Sequence, residues 1–172
     1  MKEKQPTTGK FALNYGVMLA LISITFSLML FGADLLYDDS VIIKTIPYVM
    51  AIAVIVIALI QFKKNNNGFL TLSEALKIGA GIGLISALLG LAYFFLLSEV
   101  LEPEYMNNLL EIGKQKMAAA DPRLTTDQLN EMVEMQKKFA WVSYPVILII
   151  NVLIGLVVSL IAGLIMKNVK PE

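Results

Sequence analysis

Four apolar runs constrain this chain more than any other feature: residues 11–33, 41–62, 76–97 and 141–166. Each is as long as the roughly 20 residues that an α-helix needs to cross a bilayer core. Together with one polar segment, 99–138, they use up nearly all of the 172 residues, so a second globular domain has no room. Residues 1–172 therefore read as a single transmembrane domain. Hydrophobic residues make up 57% and charged residues 16%, against roughly 45–50% and 25% in soluble domains. The fold this predicts is all-α: an integral membrane four-helix bundle with an outer amphipathic helical hairpin between spans 3 and 4. A signal peptide is a poorer reading of the N-terminus. The run 11–33 is too long for its apolar core, and Leu30 and Phe31 stand where a cleavage site wants a small residue.

The chain is organised around Lys63 to Gly90. Lys63 and Lys64 open a polar turn that ends at Gly68. Thr71 with Glu74 three residues on is a capping-box pattern: the hydroxyl accepts from the Glu74 amide, and the carboxylate accepts from the Thr71 amide. Span 3 follows, with Lys77 in the headgroup zone. Span 2 carries Lys44 near its start, where it can snorkel. Pro47 is expected in its first turn, where the amide that proline lacks would be unpaired anyway. Span 4 opens with Trp141 and Tyr144, an interfacial aromatic pair, and Pro145.

Two amphipathic helices are expected in 99–138, broken at Asp121-Pro122. On the first, Met106, Leu109, Leu110, Gly113 and Met117 share a face. On the second, capped by Thr125 with Gln128, the stripe is Leu129, Met132, Val133, Gln136, Phe139 and Ala140.

In the short loops and tails, apart from Lys44 inside span 2, the lysines fall on one side of the four spans. Lys2, Lys4 and Lys10 precede span 1, Lys63, Lys64 and Lys77 flank the span 2–3 turn, and Lys167 and Lys170 follow span 4. The span 1–2 loop, with Asp34, Asp38 and Asp39, carries no basic residue. The positive-inside rule then puts both termini in the cytoplasm of a multi-pass protein of the bacterial inner membrane.

The stretch Asn67-Gly68-Phe69-Leu70-Thr71-Leu72-Ser73-Glu74-Ala75-Leu76-Lys77-Ile78-Gly79 resembles the characteristic motif of a family of small membrane proteins. These are known mainly from Bacteroidetes and catalogued as domain of unknown function 4199. Glu102-Pro103 after span 3, the helical segment and the returning span with its lysine tail fit the same pattern. The resemblance implies a four-span inner-membrane protein and no particular activity.

Small residues recur on two spans. Gly79, Gly83, Ser86 with Ala87, and Gly90 lie to one side of span 3, and Asn151, Gly155, Ser159 and Gly163 recur every four residues in span 4. Such stripes let helix backbones approach closely, so these two are expected to pack together or against a second copy. Asn151 is the strongly polar residue deep in a span, and its amide is expected to bond to a neighbouring helix. Asp34, Lys44 and Glu99 at outer span ends read as solvated headgroup-level charges in preference to a cation entrance. Met106, Met117, Met132 and Met135 read as packing residues in preference to a soft-metal site.

The chemistry of an enzyme is missing from the residue types. There is no Cys and no His, hence no thiolate and neither the commonest general base nor the commonest metal ligand. Gly79-Ala-Gly-Ile-Gly83 continues a helix and follows no strand, so it is not a nucleotide motif. A net charge of zero argues against nucleic acid as a partner. No catalytic group, metal or cofactor is implied. The partners called for are the lipid bilayer and, by helix association, a second copy or another membrane protein. The alternative is a small carrier or channel with spans 3 and 4 lining the path.

Overall fold

The computed structural model describes residues 6–169. Lys2, Glu3, Lys4, Lys170 and the last two residues, on which part of the charge argument rests, lie outside the described residues. Four long apolar helices form: α1 (Thr8–Gly32), α2 (Val41–Asn65), α3 (Leu72–Leu96) and, after two shorter helices, α6 (Ser143–Met166). All four are long and apolar enough to cross a membrane. The chain is thus an all-helical, multi-pass membrane protein. Their bounds follow local signals. Ser40 caps α2 by accepting from the Ile43 amide at 3.4 Å. The Thr71–Glu74 pair caps α3.

The described residues divide into two compact units, Met1–Gly90 with Ile147–Glu172, and Leu91–Val146. The first holds the bundle. Its core joins Leu19 of α1, Ile55, Ala58, Leu59 and Phe62 of α2, Leu70, Ala75, Ile78 and Ile82 around α3, and Ala162 of α6. Phe11 meets Phe62 edge-to-face at 5.2 Å, which pins the start of α1 to the end of α2. The outward faces stay apolar and exposed, as at Leu21, Ile57, Leu153 and Val157. In lipid that is no penalty, since the surrounding tails are as apolar as the side chains.

Pro47 departs from expectation. With Val41 as the first residue of α2, Pro47 is the seventh and lies past the first turn. The amide it lacks would have bonded to the Ile43 carbonyl, so the proline does cost α2 a hydrogen bond. Pro145, third residue of α6, does fall in a first turn.

In the second unit α3 continues through a π-helical turn, Leu97–Leu101. There follow α4 (Tyr105–Ala120) and α5 (Thr126–Lys138), with Asp121-Pro122 between them. The α4 and α5 helices contact each other, forming the helical hairpin. Thr125 and Gln128 cap α5 in both directions, by Gln128 N–H to Thr125 Oγ1 and Thr125 N–H to Gln128 Oε1. Leu129 is the buried anchor of α5. Its stripe is only partly covered: Met132 and Phe139 stay exposed, so the apolar face is narrower than the periodicity suggests. Arg123 donates to both Asp121 carboxylate oxygens, at 2.9 and 3.1 Å. Tyr144 packs 5.2 Å from Phe95 and 6.2 Å from Phe94, while Trp141 is exposed.

Candidate functional site

The α3 and α6 helices meet along an antiparallel seam made of the small residues. A Cβ added to Gly79 would collide with the Gly155 carbonyl oxygen and the Ser159 side chain. A Cβ added to Gly155 would collide with the Gly79 carbonyl, and one added to Gly83 with the Asn151 carbonyl. At Gly163 it would stand 2.8 Å from the Ala75 Cβ. The register repeats every four residues on both helices, which is one turn plus a small drift. Glycine leaves the α-hydrogen pointing where the Cβ would be, so Gly79 and Gly155 each aim a C–H at the other's carbonyl. Ser159 is fully buried in this seam, and its hydroxyl donates to the Leu156 carbonyl of its own helix at 3.2 Å.

The opposite side of α3 packs on α1. A Cβ on Gly81 would stand 2.6 Å from the Ala12 Cβ, and one on Gly16 would stand 2.7 Å from the Ile85 Cβ. Gly81 lies roughly 200° round the helix from Gly79 at 100° per residue. So α3 is clamped between two backbones, α6 antiparallel on one side and α1 parallel on the other. The signal for the α1 contact was available: Ala12, Gly16 and Ala20 form a small-residue stripe with four-residue spacing, and all three are buried. It stands out less than a glycine run because two of its members are alanines.

Three expected members of the seam behave differently. Gly90 has nothing within 4 Å of where its Cβ would be, so the close approach has ended before that turn. Helices that cross at an angle hold backbone contact for only a few turns. Ser86 is half-buried and donates to the Gly83 carbonyl on its own helix at 3.1 Å. Asn151 does not bond across helices. Its side-chain amide donates to the Ile147 carbonyl one turn back at 2.8 Å, and its backbone carbonyl is what touches Gly83. A short polar side chain in an α-helix finds its own i−4 carbonyl within reach, and that local bond wins.

The basic end of the bundle carries a polar clasp. Leu70 and Asn168 exchange two backbone hydrogen bonds, 2.8 and 2.9 Å, in an isolated antiparallel bridge. The Asn168 side chain donates to the Gly68 carbonyl at 3.0 Å, and the Asn66 side chain to the Phe69 carbonyl at 3.1 Å. Lys63 Nζ donates to the Met166 carbonyl at 2.8 Å, which satisfies a free carbonyl at the end of α6. Asn67 (φ +55°) and Gly68 (φ +84°) make the reversal, a left-handed pair that asparagine and glycine tolerate best. The Thr71 amide and hydroxyl both donate to Glu74 Oε2 at 2.8 Å. Leu70 is completely buried beneath this clasp.

At the other ends of the spans, Lys44 pairs with Asp39, and both side chains are about half exposed. Asp34 ends the α1 turn at φ +57°. Among the described residues no group of three metal-ligating side chains comes together.

The match to known proteins runs over the seam and the clasp alike. A family model described as a protein of unknown function (DUF4199) matches residues 14–168. The chain belongs to this family. The DUF4199 match takes in all of the α3–α6 seam and ends at Asn168, the residue that closes the clasp. No curated protein and no solved structure matches the chain.

Proposed function

We propose that this member of the DUF4199 family is a non-enzymatic protein of the bacterial inner membrane that works by helix association, with a second copy or with another membrane protein. Both termini and the clasp face the cytoplasm in this reading. The α3–α6 seam carries it. A path lined by spans 3 and 4 would run where Gly79, Gly83 and Gly155 place backbone against backbone. Opening such a path means parting that contact and giving up the close van der Waals packing that holds the two helices together in lipid. What the bundle offers its surroundings is its outward apolar surface, including Leu153 and Val157 of α6. Lysines at one end support the orientation: Lys10, Lys63, Lys64, Lys77 and Lys167 flank the helix ends that meet at the clasp.

A photoactivatable amino acid at Leu153 or Val157, irradiated in living cells, tests the association. A discrete protein adduct, with a copy or with another membrane protein, is the expected product. Adducts with lipid alone at both positions overturn the reading.

A further inference from the structure

An apolar groove of about 330 Å3 runs between α2 and α6 on the outer surface of the bundle. Ile52 and Val56 form one wall, Val158, Ile161 and Ile165 the other, and Met166 closes it at the clasp end. The groove has a polarity along its length. Its lining runs from Val158 to Met166 on α6, roughly 12 Å at 1.5 Å per residue, with Ile52 and Val56 of α2 opposite. That is about half of the roughly 30 Å bilayer core, the thickness of one leaflet. At its closed end Met166 lines the groove, and the Met166 backbone carbonyl accepts from the Lys63 ammonium. An ammonium has three donors, so Lys63 keeps two for another acceptor. Lys64 and Lys167, next in sequence to those two residues, are exposed. Among the described residues, Lys63, Lys64 and Lys167 form no ion pair with a carboxylate. The nearest acidic residue in the turn, Glu74, accepts from Thr71.

We propose that this groove binds one anionic phospholipid, with an acyl chain along Ile52, Val56 and Val158 and the phosphate against Lys63, Lys64 and Lys167. The apolar trough matches one leaflet in length, and the cationic end is at headgroup depth. A neutral lipid or a helix of a second copy would leave that charge unanswered, which is why the anionic headgroup is the fitting occupant. Basic sites between helices at the membrane surface recognise phosphate headgroups in this way. The site needs the membrane-spanning bundle but not the association role, so either can fail without the other.

The test is native mass spectrometry of the purified full chain in detergent, titrated with dioleoyl phosphatidylglycerol or dioleoyl phosphatidylcholine. One phosphatidylglycerol per chain should bind at least about tenfold more tightly than phosphatidylcholine. The double variant Lys64→Gln/Lys167→Gln leaves the Lys63–Met166 bond in place and should bind phosphatidylglycerol roughly 10- to 30-fold more weakly. Ile161→Trp, at an exposed position on the groove wall, should also lose the bound lipid. Lipid-free melting temperatures equal to the wild type show that both variants are folded. Equal affinity for the two lipids overturns the proposal, as does unchanged phosphatidylglycerol binding by the double variant. Displacement of the lipid by millimolar inorganic phosphate also overturns it, because it would mark a plain anion site with no use for the groove.

Discussion

Gly79 and Gly155 meet backbone to backbone: the carbonyl of each occupies the space where a Cβ of the other would be. The contact is reciprocal, so neither position tolerates even a methyl group without moving a helix. In lipid no hydrophobic drive holds two helices together, and close van der Waals contact with weak C–H···O bonds takes its place. Gly155→Ala should therefore lower the melting temperature in detergent, at a cost of about 1–3 kcal/mol from overpacking. Gly90→Ala, also on α3 but with open space at its Cβ, should be neutral or slightly stabilising, because alanine is the better helix former by up to about 1 kcal/mol. Equal melting for the two variants contradicts the seam.

The clasp predicts a pattern of amide exchange. The Leu70 and Asn168 amides each donate to the other residue's carbonyl and should be strongly protected. The flanking Asn67 and Val169 amides should exchange fast. Thr71→Ala removes the acceptor for the Glu74 amide and should cost about 0.5–2 kcal/mol, read as a lower melting temperature with faster exchange in the first turn of α3. Unprotected amides at both Leu70 and Asn168 would show that the bridge does not form.

How much of this was legible in the sequence follows from the range of each interaction. The Thr71–Glu74 and Thr125–Gln128 caps are local, and their spacing alone announces them. Span length and lysine placement report on the bilayer, which acts on every residue in the same way. Gly79, Gly83, Gly155 and Gly163 announced a packing stripe, but not whether the partner would be in the same chain. The Leu70–Asn168 bridge joins residues far apart in sequence and has no local signal. The polarity of Asn151 shows in the sequence, whereas the Ile147 carbonyl of its own helix, which takes its amide, becomes a partner only once the helix forms. On α1, Ala12, Gly16 and Ala20 carry the same small-residue spacing in a weaker form, two alanines to one glycine, which stands out little among the other apolar residues of the span.

Orientation is testable because the chain has no cysteine. Asn65→Cys, at the lysine-flanked end of α2, should resist an impermeant thiol reagent in intact spheroplasts, while Asn108→Cys on α4 should react. Reaction of Asn65→Cys with silence at Asn108→Cys reverses the orientation.

One pH effect has a definite sign. The Arg123 guanidinium, with help from the Arg123 backbone amide, holds the Asp121 carboxyl below its ordinary value, and Asp121 in turn raises Arg123. Since the folded value is the lower one, the pair's contribution is complete above the ordinary carboxylate range. It is lost as the pH falls through the lowered value. In a carboxyl titration followed by NMR, Arg123→Gln should raise the Asp121 midpoint. A midpoint unmoved by that substitution would show that the pair does not form in solution.

The two small-residue stripes of α3 and α6 face each other within one chain. Ala75→Cys with Gly163→Cys places a thiol on each helix at the clasp end of the seam, where a Cβ on Gly163 would stand 2.8 Å from that of Ala75. A disulfide needs the two Cβ atoms about 3.5–4.5 Å apart, a shift of about 1 Å. Mild oxidation in membranes, followed by non-reducing electrophoresis, reads the outcome directly. The double variant should form a disulfide within the monomer, while each single variant forms none. A disulfide-linked dimer in place of the internal bond would show instead that the seam joins two copies.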